Sequence, residues 1–276
     1  MSDRLVVDGV AVLVEGTGEE TLLMIHGWPD SLALWDSTVA ALRDGFRCAR
    51  FTLPGFARGD AGRQWTLDEM DALLLHIVER LCPGGPVTLV LHDWGCVFGY
   101  QFAMRHPERV ARIVGVDIGD ADALPRVLRK RALAGLAAYQ LWLAIAWKIG
   151  GRIGDQMTRW MARVGRAPSD PAAIGWQMNW PYALTWFGGR EALPRRSVPF
   201  RPACPMLFIH GRRKPFRFHS KAWAEALAQR AGSRVEAFDT GHWVMCDAPE
   251  RFHGVVREWL LGEAGGGGSA GSARAG

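Results

Sequence analysis

Six apolar runs, each followed by a loop and then by a helical pattern or a chain break, set the limits on what this chain can fold into. They are Thr21 to Gly27, Arg47 to Gly55, Pro86 to Asp93, Val110 to Gly119, Pro205 to Gly211 and Arg234 to Gly241. Most are continuously apolar rather than alternating, which is the pattern of strands covered on both faces. Strands that alternate with helices form a parallel sheet, because a parallel connection needs a crossover and a helix supplies it. Two short strands, Leu5 to Val7 and Val10 to Val14, precede the first run. The expected fold class is α/β, a mostly parallel sheet with helices on both faces.

Between the fourth and fifth runs the rhythm stops. Residues 121–200 read as helices carrying six of the thirteen tryptophans, broken by "GGRIG", "APSDP" and "GG". This segment is expected to be a helical lid inserted into a core made of residues 1–120 and 201–264. The Gly/Ser-rich tail, residues 265–276, has too little apolar surface to fold and is expected to be disordered.

The net charge of +5 is concentrated in the lid, which holds 12 Lys or Arg against 4 Asp or Glu, while the remainder of the chain sums to −3. Such a patch can attract nucleic acid, anionic lipid or an anionic substrate. Its arginines are scattered around apolar helices, so a solvated helix face is the preferred reading, with a membrane surface as the alternative around Arg126 to Leu136. The uncharged stretch from Ala132 to Trp147 is 16 residues long. That is short of the roughly 20 needed to cross a bilayer, so a buried or interfacial helix is expected. No nucleic-acid partner is expected, and oligomeric state leaves no sequence signal.

The five cysteines, Cys48, Cys82, Cys96, Cys204 and Cys246, are odd in number and form no C-x-x-C pair. They suggest neither a disulfide framework nor a zinc site, and read as reduced, buried thiols in a cytoplasm. The first residues lack the basic region and apolar run of an export signal, so a cytoplasmic location is expected. "FTLPGFARGD" lacks a phosphate-binding loop pattern, and no cofactor is expected. His26 and His92 have no third ligand beside them and read as structural neighbours of more telling residues rather than as a metal site.

Ligands in a doubly wound sheet bind at the carboxyl ends of the strands. Three groups lie there: "HGWPD" after the first run, "HDWG" after the third and "GHW" after the last. In chain order they supply an oxyanion loop, a nucleophile and a histidine. The middle one, Leu91-His92-Asp93-Trp94-Gly95, stands where a strand-to-helix elbow carries G-x-S-x-G. Asp93 is either the attacking group or an N-cap of the following helix, since aspartate is a favoured cap.

With these motifs the chain resembles the α/β-hydrolase family over about residues 5–262, and within it the aspartate-nucleophile branch of epoxide hydrolases and haloalkane dehalogenases. The chemistry accounts for the aspartate. A serine attacking an sp3 carbon would form an ether that water does not readily cleave, whereas a carboxylate forms a hydrolysable ester. Aspartate, with an ordinary pKa of about 3.9, is ionised near pH 7 without a base, which leaves a histidine free to activate water in a second step. The resemblance assigns Asp93 as nucleophile, His242 as general base, and the backbone N–H groups of Trp28 and Trp94 as the oxyanion hole.

The acid that orients the histidine departs from the common family pattern. The usual turn after the next-to-last strand reads "HGRRKPF" and holds Lys214, which cannot accept the histidine N–H. Some dehalogenases carry the acid one strand earlier, where "GVDIGD" offers Asp117 first and Asp120 second. Epoxide hydrolases use two lid tyrosines to protonate the leaving alkoxide, and Tyr139 and Tyr182 stand in contexts resembling theirs. A dehalogenase would need halide donors, for which the indole N–H groups of Trp94 and Trp28 are candidates. The expected function is epoxide hydrolysis of an apolar small molecule with water as co-substrate. The alternatives are haloalkane hydrolysis and, in another class, a non-catalytic ligand-binding protein, motivated by Lys214.

Overall fold

Eight strands, β1 (Ser2–Val7), β2 (Val10–Glu15), β3 (Thr21–Ile25), β4 (Arg47–Phe51), β5 (Val87–His92), β6 (Val110–Val116), β7 (Met206–Gly211) and β8 (Arg234–Phe238), form one sheet. Their order is β1-β2-β4-β3-β5-β6-β7-β8 in a computed structural model that describes residues 2–120, 129–214 and 217–262. The tail at 265–276 and the first residues of the expected lid, 121–128, lie outside the described residues. β1 and β2 pair antiparallel through the two-residue Asp8–Gly9 turn, both residues at positive φ as such a tight hairpin requires. β2 is also antiparallel to β4, and every later pairing is parallel.

The continuous apolar runs have the structural meaning expected of them. Successive side chains of a strand point to opposite faces. Leu23, Ile25, Leu89, Leu91, Ile113 and Phe208 accordingly join one core cluster, and their neighbours Leu22, Met24, Val90, Val114, Leu207 and Ile209 join another. Helix α1 (Asp36–Leu42) covers the second face, together with a C-terminal helix described below, whereas α2 (Leu67–Leu81) and α3 (Trp94–Arg105) cover the first. Thr66 starts α2 with a reciprocal capping box: its hydroxyl accepts from Glu69 N–H while the Glu69 carboxylate accepts from Thr66 N–H.

Between β6 and β7 come α4 (Lys130–Ile149), α5 (Gly151–Gly165), α6 (Trp180–Phe187) and the single turn α7 (Leu193–Arg196). α4 packs against both α5 and α6. Two expectations change here. "GGRIG" is not a break of several residues, because only Gly150 separates the helices and Gly154 lies inside α5. A Cβ on Gly154 would sit 2.6 Å from the Ala146 carbonyl, so this glycine lets the two helices approach closely. α4 also exceeds the uncharged 16-residue stretch. Lys130, Arg131 and Lys148 are good helix formers, and they lengthen it to 20 residues, enough by length and composition to cross a membrane, with only 22% of its most apolar window buried inside the protein.

After β7 come α8 (Lys221–Ala228), then β8, the short α9 (Val244–Asp247) and α10 (Pro249–Gly262), whose Phe252, Val256, Trp259 and Leu260 complete the second face. The five cysteines are all free; Cys48 and Cys96 are buried, Cys82 and Cys204 are partly so, and Cys246 is exposed, contrary to the expectation of uniformly buried thiols.

Candidate active site

Three strand ends converge. β5 ends at His92, and the next residue, Asp93, turns the chain into α3 with φ +52° and ψ −119°. That backbone is unfavourable for any residue bearing a Cβ, costing about 1–3 kcal/mol, and it aims the carboxylate away from the helix it precedes. Asp93 makes no side-chain hydrogen bond to α3. The reading of Asp93 as a helix cap therefore fails on geometry. Its Oδ2 instead accepts a hydrogen bond from Trp28 N–H at 2.7 Å, and Oδ1 stands 3.5 Å from His242 Nε2.

Gly27 permits this approach. A Cβ there would overlap the Asp93 side chain and the backbone nitrogen of Trp94. Trp28 N–H thus reaches Asp93, and Trp94 N lies beside the same carboxylate. His26 ties the loop down from below, donating through Nδ1 to Gly27 O at 2.9 Å and accepting Leu53 N–H on Nε2 at 2.9 Å.

His242 follows β8, and its Nδ1 bonds Asp117 Oδ2. Asp117, at the end of β6 and fully buried, also takes a positive φ of 74°. Its Oδ1 accepts Gly211 N–H at 3.1 Å and forms an ion pair with Lys214, whose side chain is only 6% exposed. Lys214, in the turn where the resemblance leads one to expect an acid, is therefore the counter-ion of Asp117. Asp120 is engaged elsewhere: both its oxygens hold Ser220, the N-cap of α8, through the backbone N–H and the hydroxyl, each at 2.6 Å. Asp117, and not Asp120, is thus the acid brought to the histidine.

The electrostatics follow from these contacts. Burial opposes the charge on His242, but the flanking carboxylates of Asp117 and Asp93 overcome it and raise the imidazole to about 9. Burial would likewise push Asp117 up; Lys214 and His242 hold it well below the usual carboxylate range. Asp93, buried too, is kept low by His242 and by the Trp28 N–H. His92, lowered to about 3 chiefly by burial, is neutral, and its ring packs 4.5 Å from that of His242 while Nε2 lies 3.2 Å from the His242 carbonyl. It fixes the histidine loop rather than titrating.

The insertion closes over this carboxylate. Tyr139 on α4 and Tyr182 on α6 bring their hydroxyls together, and both rings meet the Trp28 indole edge to face, at 6.2 and 5.9 Å. Tyr182 also stands edge to face on Trp94 at 5.1 Å. Burial, with the negative field of Asp93, keeps both phenols protonated. Trp28 Nε1 donates to Asn179 Oδ1 at 2.8 Å, and Asn179 Nδ2 donates to Thr158 at 2.7 Å. The Trp28 indole is therefore committed to a protein acceptor, which corrects its candidacy as a halide donor.

Two participants escaped the sequence reading. Asn179 lies in the "MNWPY" context that singled out Tyr182, but nothing local says which indole it binds. Asp30, the last residue of "HGWPD", is buried and raised to about 6 mainly by that burial; it accepts from Ser169 and, at 2.9 Å, from the Trp243 indole next to His242. Among the described residues no cluster of His, Cys, Asp and Glu is arranged to hold a metal ion.

Residues 20–146 match the family of the alpha/beta hydrolase fold. The chain is similar to a Mycobacterium tuberculosis protein named "Probable oxidoreductase EphD", 33% identical over 130 residues, covering 42% of this chain and 21% of that protein. A cis-3-alkyl-4-alkyloxetan-2-one decarboxylase of Xanthomonas campestris is 29% identical over 193 residues, 64% of this chain and 58% of that one. The chain thus spans less than two thirds of the length of these relatives. Epoxide hydrolases and a haloalkane dehalogenase stand among the further relatives. In fold, a variant of an epoxide hydrolase from Bacillus megaterium superposes with a TM-score of 0.71 at 18% identity, covering 94% of this chain and all of that one. The protein thus has the α/β-hydrolase fold, and its residues 20–146 carry the sequence match to that family.

Proposed function

We propose that the protein hydrolyses an apolar epoxide through an ester on Asp93. The observation that carries this reading is the placement of Asp93 itself, with Oδ2 held by Trp28 N–H and Oδ1 facing a histidine backed by Asp117. With Oδ2 occupied, Oδ1 is the attacking atom. It bonds the substrate carbon as the ring C–O bond breaks, and the ring oxygen takes a proton from the Tyr139 or Tyr182 phenol. An epoxide oxygen entering between the two hydroxyls exchanges their mutual hydrogen bond for two donated ones.

Ester formation removes the charge of Asp93, one of the groups that raises His242, so the imidazolium releases its proton and becomes a base. His242 Nε2 then takes a proton from water, whose oxygen attacks the ester carbon. Trp28 and Trp94 N–H bind the oxyanion that forms on Oδ2. The Cγ–Oδ1 bond breaks, so the diol leaves with Oδ1 and the proton from His242 while the water oxygen stays in the Asp93 carboxyl, which returns its proton to His242, and the tyrosine recovers its own from solvent. Substrate and water are the only partners this scheme needs, with no cofactor, in a cytoplasm.

Halide displacement by the same Asp93 is the second reading, favoured by the position of the acid at the end of β6. A strained oxetanone, the substrate class in the Xanthomonas relative's name, presents the same kind of electrophilic sp3 carbon. Repeated turnover in heavy-oxygen water with aryl and alkyl epoxides, haloalkanes and a β-lactone tests the scheme. Diol formation with label accumulating in the Asp93 carboxylate is expected. Halide release without diol overturns the choice of reaction, and ligand binding with no label in Asp93 overturns the ester and favours a non-catalytic binder.

A further inference from the structure

α5 has three faces rather than two. Gly154, Thr158 and Ala162, four residues apart, are buried against the protein. Ile153, Met157, Trp160 and Val164 recur at the spacing of a second face, and three of them are exposed at 61%, 49% and 60% for Ile153, Trp160 and Val164. Arg152, Arg159 and Arg163 share the remaining face, with Arg166 just past the helix end; Arg159 is turned to Ile174 O and Asp155, while the other three are exposed.

The apolar stripe does not stop at α5. On α4, Trp142, Ile145 and Ile149 share one exposed face. The two stripes join where the Trp142 and Trp160 rings pack at 5.1 Å and Trp142 Nε1 donates to the Met157 carbonyl at 3.1 Å. At the far end of α4, exposed Lys148 lies 5.5 Å from the ring of exposed Phe187. A folded protein seldom leaves such a contiguous apolar patch to water.

We propose that this face of α4 and α5 docks on an anionic lipid surface, the helices lying flat in the headgroup region. An apolar stripe edged by arginines is the pattern of an interfacial helix, in which apolar burial and attraction to anionic headgroups act together. α4 does not span the bilayer in this arrangement, because Tyr139 is packed on Trp28 and Tyr182 beneath it. A second copy of the chain is a poorer occupant: it brings an equal excess of positive charge to the contact, whereas anionic lipid neutralises it. The proposal stands independently of the reaction at Asp93.

The test is co-sedimentation of the full chain with vesicles of phosphatidylcholine alone and with about a quarter phosphatidylglycerol. Binding to the anionic vesicles is expected, at least about tenfold tighter than to neutral ones and weakened by salt. Each exposed arginine removed should weaken partition about fivefold, so Arg152→Gln, Arg163→Gln and Arg166→Gln together cost about a hundredfold. Ile153→Glu with Trp160→Glu should abolish binding; these side chains are exposed, and the arginine series reads the same surface without touching the apolar face. Failure to bind anionic vesicles, equal binding to neutral ones, or a dimer in solution that the Glu pair dissociates would each overturn the proposal.

Discussion

Asp117→Asn should destabilise the protein through Lys214, and the size of the effect can be worked from the site. The substitution keeps the shape of the side chain and tolerates the positive φ of 74°, but it leaves an ammonium that is 6% exposed without its counter-ion. Removing one partner of a buried pair costs about 3–5 kcal/mol. Deprotonation sets a ceiling: an ordinary lysine at 10.5 lies about 3.5 units above pH 7, so losing the proton in place costs about 5 kcal/mol at most. At roughly 2–4 °C per kcal/mol for a chain of this size, the midpoint should fall by about 6–20 °C. Adding Lys214→Met removes the orphan charge and should recover most of the loss, to within about 1–2 kcal/mol of the parent. Urea unfolding of the four proteins of this cycle at pH 7 measures the coupling directly. If the double variant is no more stable than Asp117→Asn alone, Lys214 is not the counter-ion and the electrostatic account of this site is wrong.

Other outcomes follow from the same geometry. His242→Gln should alkylate Asp93 but not release it, so one equivalent of substrate remains covalently attached, visible as a mass increase of the intact chain. Tyr139→Phe and Tyr182→Phe should each slow ring opening by about 10²-fold or more through loss of the proton donor, read in single-turnover kinetics; unchanged rates in both would remove the tyrosines from the scheme. Because His242 is raised from 6.5 to about 9, its contribution to stability is complete below pH 6.5 and disappears as pH rises through 9. The loss amounts to roughly 3 kcal/mol, and chemical denaturation between those pH values should show it in the parent and not in His242→Gln. Asn179→Ala should cost about 1–3 kcal/mol in stability, because the Trp28 indole N–H loses its buried acceptor.

The sequence by itself determined the layout. Continuous apolar strands separated by helical segments leave few options other than a parallel sheet covered on both sides, and "HGWPD", "HDWG" and "GHW" fall at strand ends because that is where such a sheet has loops. What tertiary structure decided were the choices that depend on meeting across long separations. Whether Asp117 or Asp120 reaches His242, 125 residues from Asp117, depends on where β6 ends relative to β7 and β8. Lys214 read in sequence as the loss of an acid; only folding brings its ammonium to Asp117, 97 positions earlier. The Trp28 indole read as a free donor until α6 carried Asn179 to it, 151 residues away. Exposure was hidden in the same way: the spacing of Ile153, Trp160 and Val164 marks one face of a helix, but helical periodicity is identical whether that face meets a core or water, and only the packing of Gly154, Thr158 and Ala162 on the other side settles which.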